Sequence, residues 1–364
     1  MRQLGIGIIG CGGIANAKHI PNLLKEPRVS IRAVCDVSGP DRMQKTVDSF
    51  SLVQCKQYDN VDALLEDEAI DVVHICTPNA WHAPLAIQAL RAGKHVMCEK
   101  PMATTVADAE EMVRVAHECG RILTVCANNR FREDSWVLKR CCAQGLLGDV
   151  YYAKATYLRR RGVPTWGAFT DQSIQGGGPV IDIGTHALDL AFWLMDNHEP
   201  LEVFSTTFDY LKNFPSVANP YGMWDITKFT TEDSGVGLIR MMNGALVLLE
   251  ASWLMNIRKE RQSLISLYGT KAGADMDDGL FINGEICGNL YDQKIQTDQQ
   301  GVAFYKPTKV FGPELEIHTW IDSILNKEAP VVKPEEMVVV MRTIRAFYQS
   351  AERKQVVRIE GVNE

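Results

Sequence analysis

Through the first 127 positions, apolar residues come in short runs, and helically spaced stretches lie between them. The strand-like runs are Leu4 to Ile9, Val29 to Cys35, a weaker Cys55 to Tyr58, Ile70 to Cys76, His95 to Cys98 and Ile122 to Ala127. Helical patterns cover Asp41 to Phe50, Asp59 to Glu68, Ala80 to Arg91 and Ala107 to Glu118, with Asn79 and Thr104 or Thr105 as the caps of the last two. Strands alternating with helices of this length predict a right-handed, doubly wound parallel sheet. Ligands of such sheets bind beyond the carboxyl ends of the strands. Those ends are polar here: Asp36, Thr77-Pro78-Asn79, Glu99-Lys100-Pro101 and Asn128-Asn129-Arg130.

From residue 128 the rhythm changes. One helix, Glu133 to Gln144, leads into longer strand patterns at Val150 to Arg160, Glu202 to Leu211, Gly235 to Met242, Ala245 to Leu254 and Ser263 to Tyr268. Asn243-Gly244 and Asn283-Gly284 are hairpin signals, and hairpins without intervening helices predict a mostly antiparallel sheet. The expected fold is α/β in residues 1–127, followed by an α+β domain in 128–364 whose large open sheet offers a face for oligomerisation. Two C-terminal helices, Glu314 to Asn326 and Glu335 to Gln355, are expected to brace the pair.

The first strand stops in Gly10-Cys11-Gly12-Gly13-Ile14-Ala15 and a helical pattern follows, the G-x-G-x-x-A form of the dinucleotide fingerprint in its strand-turn-helix setting. Gly10 permits the turn, Gly12 admits a pyrophosphate, and Gly13 and Ile14 open the helix whose amides face it. Asp36 ends the next strand about twenty residues on, where a carboxylate accepts the adenosine ribose hydroxyls. No arginine directly follows it, which favours NAD over NADP. Thr77, Pro78 and Asn79 edge the same crevice. His82, one turn into the next helix, is counted with the cofactor residues and not as a catalytic group. The fifth strand delivers Glu99 and Lys100 to the crevice.

In the second half, Gly176-Gly177-Gly178-Pro179 launches a largely apolar helix in which Asp182 and His186 are four apart, with Asp189 and Trp193 continuing the row. Charged groups on a buried helix are paired or used. Upstream, Arg159, Arg160 and Arg161 and the Pro164-Thr165-Trp166 loop offer guanidinium forks and an aromatic platform for a hydroxylated or carboxylated ligand. Asn128, Arg159, Arg161 and Trp166 join Lys100, Asp182 and His186 as candidate substrate contacts.

Composition narrows the field. Across 364 residues, 46% hydrophobic, the net charge is -7, which argues against nucleic-acid and acidic-membrane partners. No stretch approaches a membrane span and no secretory leader pattern opens the chain, so a cytoplasmic protein is expected. The ten cysteines form no CxxC pair, and several end apolar strands, so they read as buried thiols; no metal site is expected.

These motifs together, Gly10 to Ala15, Thr77-Pro78-Asn79, Glu99-Lys100-Pro101 and Asp182 four before His186, resemble the Gfo/Idh/MocA family of NAD(P)-dependent sugar and polyol dehydrogenases along essentially the whole chain. The resemblance implies an N-terminal Rossmann domain, a second domain used for dimers or tetramers, and Lys100, Asp182 and His186 as catalytic residues. Alcohol oxidation needs a base, and an imidazole suits that role near neutral pH. Asp182 would orient His186, Lys100 would stabilise alkoxide charge, and Glu99 would position Lys100 or the ribose. The expected substrate is a sugar, glycoside or polyol, with glucoside C3 as the refinement. The alternatives are a glycoside-cleaving relative that passes through a 3-keto intermediate, and a non-catalytic sensor.

Overall fold

A computed structural model describes residues 2–297, 310–359 and 361. The chain divides into two units, Met1–Asn128 with Val310–Val338 and Asn129–Lys309 with Val339–Glu364. In the first, β1 (Leu4–Ile9), β2 (Val29–Cys35), β3 (Lys56–Tyr58), β4 (Val72–Ile75), β5 (His95–Cys98) and β6 (Leu123–Val125) form a parallel sheet in the order β3-β2-β1-β4-β5-β6. The pairings β1–β2, β1–β4 and β4–β5 are all parallel, and the order reverses between β1 and β4, where a doubly wound sheet opens its ligand crevice.

Ile6, Ile8, Val34, Val72 and Met97 from this sheet share one core with Ile20 and Leu23 of the short helix Ile20–Leu23. Ile317, Trp320, Ile321 and Ile324 complete that core. They form the i, i+3, i+4, i+7 stripe of the helix Pro313–Asn326, and each contributes about 1.5–3 kcal/mol on burial. The sequence predicts this helix within residues 128–364, as one of two that brace the pair. Its apolar stripe belongs to the core of the first unit.

Asn79 does not cap the fourth helix as expected. It starts a 3-10 turn, Asn79–Trp81, and the α-helix begins at His82. Thr105 does cap its helix, Val106–Glu118, by accepting from the Asp108 amide.

In the second unit, β7 (Val150–Leu158), β8 (Pro200–Phe208), β9 (Ser234–Met241), β10 (Leu246–Ser252), β11 (Arg261–Gly269), β12 (Gly273–Asp275), β13 (Leu280–Ile286), β14 (Asn289–Ile295) and β15 (Val357–Arg358) form a sheet in the order β14-β13-β12-β11-β7-β10-β9-β8-β15. Only β7–β10 among these described pairs is parallel. Asn243-Gly244 turns β9 into β10 as expected. Asn283-Gly284 does not turn: both lie inside β13, opposite Asp292 and Tyr291 of β14. The turn falls at Cys287-Gly288, whose φ values of 53° and 78° suit a two-residue hairpin loop. Gly284 serves packing, since a Cβ there would lie 3.0 Å from the Tyr291 hydroxyl. Among the described residues, no helix is long and apolar enough to cross a membrane.

Candidate active site

The glycine turn after β1 is shaped by close approach. Gly10 has φ 96°, donates to Cys35 O at 2.8 Å, and would place a Cβ 2.6 Å from Cys76 O, so no other residue fits. Gly12 and Gly13 face open space, where a Cβ would meet nothing within 4 Å. The chain then coils through a π-turn, Ala15–His19, with Ala15 fully buried against the sheet and Ile14 exposed.

Asp36 is buried beside this turn. Its Oδ2 accepts from the Cys11 amide at 2.7 Å and its Oδ1 from the Ser38 amide at 2.8 Å. The carboxylate thus braces the glycine turn. Arg42 Nη1 stands 3.8 Å from Asp36 and donates to Ser38 Oγ, so an arginine six residues after Asp36 reaches it although none directly follows it.

Thr77 Oγ1 is buried at the same sheet edge with no partner among the described residues. His82 is 1% exposed, with Nδ1 2.7 Å from Pro101 O and Nε2 2.8 Å from Thr77 O. It straps the Thr77-Pro78-Asn79 segment to the residue after Lys100. Open space above Gly12 and Gly13, a braced carboxylate and an orphaned hydroxyl fit a dinucleotide.

β5 ends in Glu99 and Lys100, and the Lys100-Pro101 peptide is cis. Glu99 anchors a buried ionic network that the motif does not reveal. Its Oε1 meets Lys18 Nζ at 3.1 Å and His19 Nε2 at 2.9 Å, and its Oε2 accepts the Lys100 amide at 3.2 Å. His19 Nδ1 lies 2.9 Å from His74 Nδ1, and Lys18 Nζ is also 3.0 Å from Glu316 Oε2. Burial pushes the Glu99 carboxyl up, but the Lys18 charge and the His19 hydrogen bond outweigh it and hold it well below the usual carboxylate range. Burial and the neighbouring His19 and Lys18 push His74 well down, so it is a neutral ring. Nε2 of His19 faces a carboxylate and therefore donates. The Nε2 of His74 is left without a partner among the described residues.

His19, Glu99 and Cys126 hold donor atoms within 4.8 Å of one another, the ligand types of a zinc centre. Lys18 already places an ammonium on the same Glu99 oxygen and supplies the positive charge there.

In the second unit, the segment after Pro179 is a π-turn, Val180–Gly184, that runs into the helix Thr185–Met195. Asp182 is 8% exposed, and its Oδ2 accepts from Trp253 Nε1 at 3.0 Å. Trp253 directly follows β10, 71 residues away, and is wholly buried. One turn past Asp182, the half-buried His186 ring sits 6.4 Å from the Tyr157 ring of β7. Arg159 lies over the Tyr157 ring, its Cζ 5.4 Å from the ring centroid and its Nη1 bonded to Gly162 O. Neither Trp253 nor Tyr157 carries a motif; both are ordinary strand residues in the sequence.

The rest of the predicted row divides. Asp189 takes a bidentate pair with the fully buried Arg130, at 2.6 Å for Nη2–Oδ1, and Trp193 packs 5.7 Å from the same guanidinium. Arg161 is directed to loop groups, Arg160 O at 2.6 Å and Asn256 Oδ1 at 2.9 Å. Trp166, 52% exposed, meets Tyr221 and Phe169 edge-on at 4.7 and 5.8 Å. Asn128 opens the turn Asn128–Phe131, with its Oδ1 buried and no partner among the described residues.

Residues 4–127 match the sequence profile of the oxidoreductase family with an NAD-binding Rossmann fold, and residues 136–275 that of the GFO/IDH/MocA C-terminal domain. The chain is 32% identical over 352 residues to the D-glucoside 3-dehydrogenase of Escherichia coli (strain K12), covering 96% of this chain and 95% of that one. The chain belongs to the Gfo/Idh/MocA family. It is 25% identical over 357 residues to the myo-inositol 2-dehydrogenase of Thermotoga maritima, covering 98% and 99% of the two chains. A solved levoglucosan dehydrogenase, in complex with NADH and L-sorbose, has the same fold at a TM-score of 0.84 and 21% identity, covering 99% of this chain and 100% of that one. As a Gfo/Idh/MocA protein this chain is an NAD-dependent oxidoreductase acting on CH–OH groups, and its first unit is the NAD-binding Rossmann domain.

Proposed function

We propose that this Gfo/Idh/MocA enzyme oxidises the C3 hydroxyl of a D-glucoside. The observation that carries the reading is the buried Trp253–Asp182 hydrogen bond, which fixes a carboxylate one helical turn before a half-buried histidine. The 32% identity to a D-glucoside 3-dehydrogenase along nearly the whole chain supports the substrate class. Bound NAD would supply the hydride acceptor for the carbinol carbon. Gly10, Gly12, Gly13 and Ile14 would hold its phosphates, Asp36 would receive its ribose hydroxyls, and Thr77, Pro78, Asn79 and His82 would line the edge of its crevice. His186 takes the hydroxyl proton at an imidazole nitrogen, Asp182 orients that ring, and Lys100 donates to the oxygen on which charge develops. Glu99 holds the Lys100 main chain through the amide it accepts. Of the two candidate arginines, Arg159, stacked on Tyr157 beside His186, is the better substrate contact. Arg161 is engaged by Arg160 O and by Asn256, beyond β10. Trp166 supplies an apolar platform for a sugar ring.

The outward row Phe204–Leu238–Leu248–Lys154 runs across β8, β9, β10 and β7, with Phe204 and Leu238 exposed, and this fits an oligomer built on the open sheet. Ten free cysteines and dependence on NAD fit the cytoplasm.

The test is turnover with NAD of methyl D-glucosides, free hexoses, levoglucosan and inositols, followed as NADH formed, with the product oxidised at C3 identified by NMR. Oxidation at another carbon, or of inositol alone, overturns the C3 assignment. Release of aglycone without net NADH would replace it with the cleaving reaction.

A further inference from the structure

The glycine run ahead of the Asp182–His186 helix looks in sequence like a flexible launch, but the structure gives it another purpose. Three amides at the start of the helix need acceptors, those of Gly178, Val180 and Ile181, because Pro179 has none. Glu232 Oε2 accepts from Gly178 N at 2.9 Å, and Glu232 Oε1 accepts from Val180 N at 3.2 Å. Tyr348 Oη donates to Glu232 Oε1 at 2.8 Å and accepts from Ile181 N at 3.3 Å. A carboxylate just before β9 and a phenol on the helix Pro334–Arg353 thus satisfy all three amides, with negative charge at the positive end of the helix.

Gly177 and Gly178 make room for this. A Cβ on Gly177 would lie 2.2 Å from Tyr348 Oη, and one on Gly178 would lie 2.9 Å from Glu232 Cδ. Both glycines have ordinary backbone, and only Gly176 has positive φ. Closeness, not flexibility, explains the run. Burial, with the adjacent Glu232 charge, pushes the Tyr348 phenol well up, so it keeps its proton and its donor direction.

We propose that Glu232 and Tyr348 are positioning residues for proton transfer: they lock the first turn of the helix and so set the register of Asp182 against Trp253 and of His186 beyond it. Ile181, held by Tyr348, directly precedes Asp182, so slippage at the lock reaches Asp182 first. This inference rests on the assignment of Asp182 and His186 as the catalytic pair.

Tyr348→Phe removes one oxygen and keeps the ring, and Glu232→Gln keeps the shape and removes the charge. Each is assayed with the best sugar of the panel, protiated and deuterated at the oxidised carbon, well below its melting temperature. NAD affinity is read separately by fluorescence titration. The expected result is a kcat lower by roughly tenfold in Tyr348→Phe and more in Glu232→Gln, an isotope effect on kcat above the parent's, and a Kd for NAD within about twofold. Parent kcat and isotope effect in both variants, even with a lowered melting temperature, would reduce the lock to a structural cap and overturn the proposal. His186→Asn is the control. If it is inactive while the lock variants are normal, only this inference fails; if it turns over normally, the catalytic assignment itself fails.

Discussion

Replacing Trp253 with Phe removes one N–H from Asp182 and leaves an aromatic ring in the same buried slot. Trp253 Nε1 lies 3.0 Å from Asp182 Oδ2, with Trp253 wholly buried and Asp182 8% exposed. A hydrogen bond to an ionised group in such a place is worth about 1.5–3 kcal/mol, and deleting the donor takes that bond from a buried carboxylate. If that carboxylate orients the base, most of the loss enters the barrier, and kcat/KM should fall about ten- to hundredfold. The smaller ring also leaves a void costing roughly 1 kcal/mol of stability. Activity is therefore measured on protein shown by urea titration to be fully folded, with NAD affinity determined in parallel. A kcat/KM within about twofold of the parent, in a folded variant that binds NAD normally, would refute the claim that this bond positions Asp182.

The remaining expectations concern the first unit. Asp36→Ala should weaken NAD by about ten- to hundredfold, through loss of the ribose acceptor and of the Cys11 brace, and should spare or improve NADP because Arg42 stands ready for a 2′-phosphate. Equal weakening of both nucleotides in calorimetric titration would rule out the ribose role. Lys100→Ala should lower kcat by at least about a hundredfold with little change in NAD Kd, and an unchanged kcat would remove Lys100 from the chemistry.

His95 yields a pH prediction. Burial, then Arg121, lowers it from 6.5 to about 4, and its Nδ1 accepts the Ile122 amide at 3.0 Å, which demands an unprotonated nitrogen. The folded value is depressed, so the unfolded chain binds the proton first as pH falls below 6.5. Stability should therefore decline between 6.5 and about 4, and His95 should have no effect above that window. Partial exposure discounts the loss to about 1–2 kcal/mol. Urea unfolding across the window should show a flatter pH dependence in His95→Asn, and an equal slope in the two proteins would contradict the assignment.

What the sequence discloses and what it hides follow from the range of the interactions. The alternating strands and helices, the glycine turn and Asp36 were legible because each is set by neighbours within one βαβ unit. For the helix Pro313–Asn326 the sequence offers a brace for the pair and no partner, because an amphipathic stripe announces that it will be buried without saying against what; its cover is Ile20 and Leu23, some three hundred residues earlier. Asn283-Gly284 misled for a related reason. The dipeptide favours a turn, but its tertiary setting used the glycine for approach to Tyr291 and moved the turn to Cys287-Gly288.

The same division runs through the candidate site. Lys100, Asp182 and His186 stand out as charges at the end or on the face of an apolar element, a conflict visible within ten residues. Their supports are not in conflict with anything local. Trp253 completes an apolar strand run, Tyr348 lies on an amphipathic helix and Glu232 sits in a polar loop, and each acquires its role only through a partner 71, 167 or 54 residues away. A charged residue on a buried helix therefore carries a second message: the fold must bring a donor to it from elsewhere. Here the glycines mark where two of those partners arrive. A run of glycines with ordinary φ beside such a helix is better read as space reserved for another side chain than as slack.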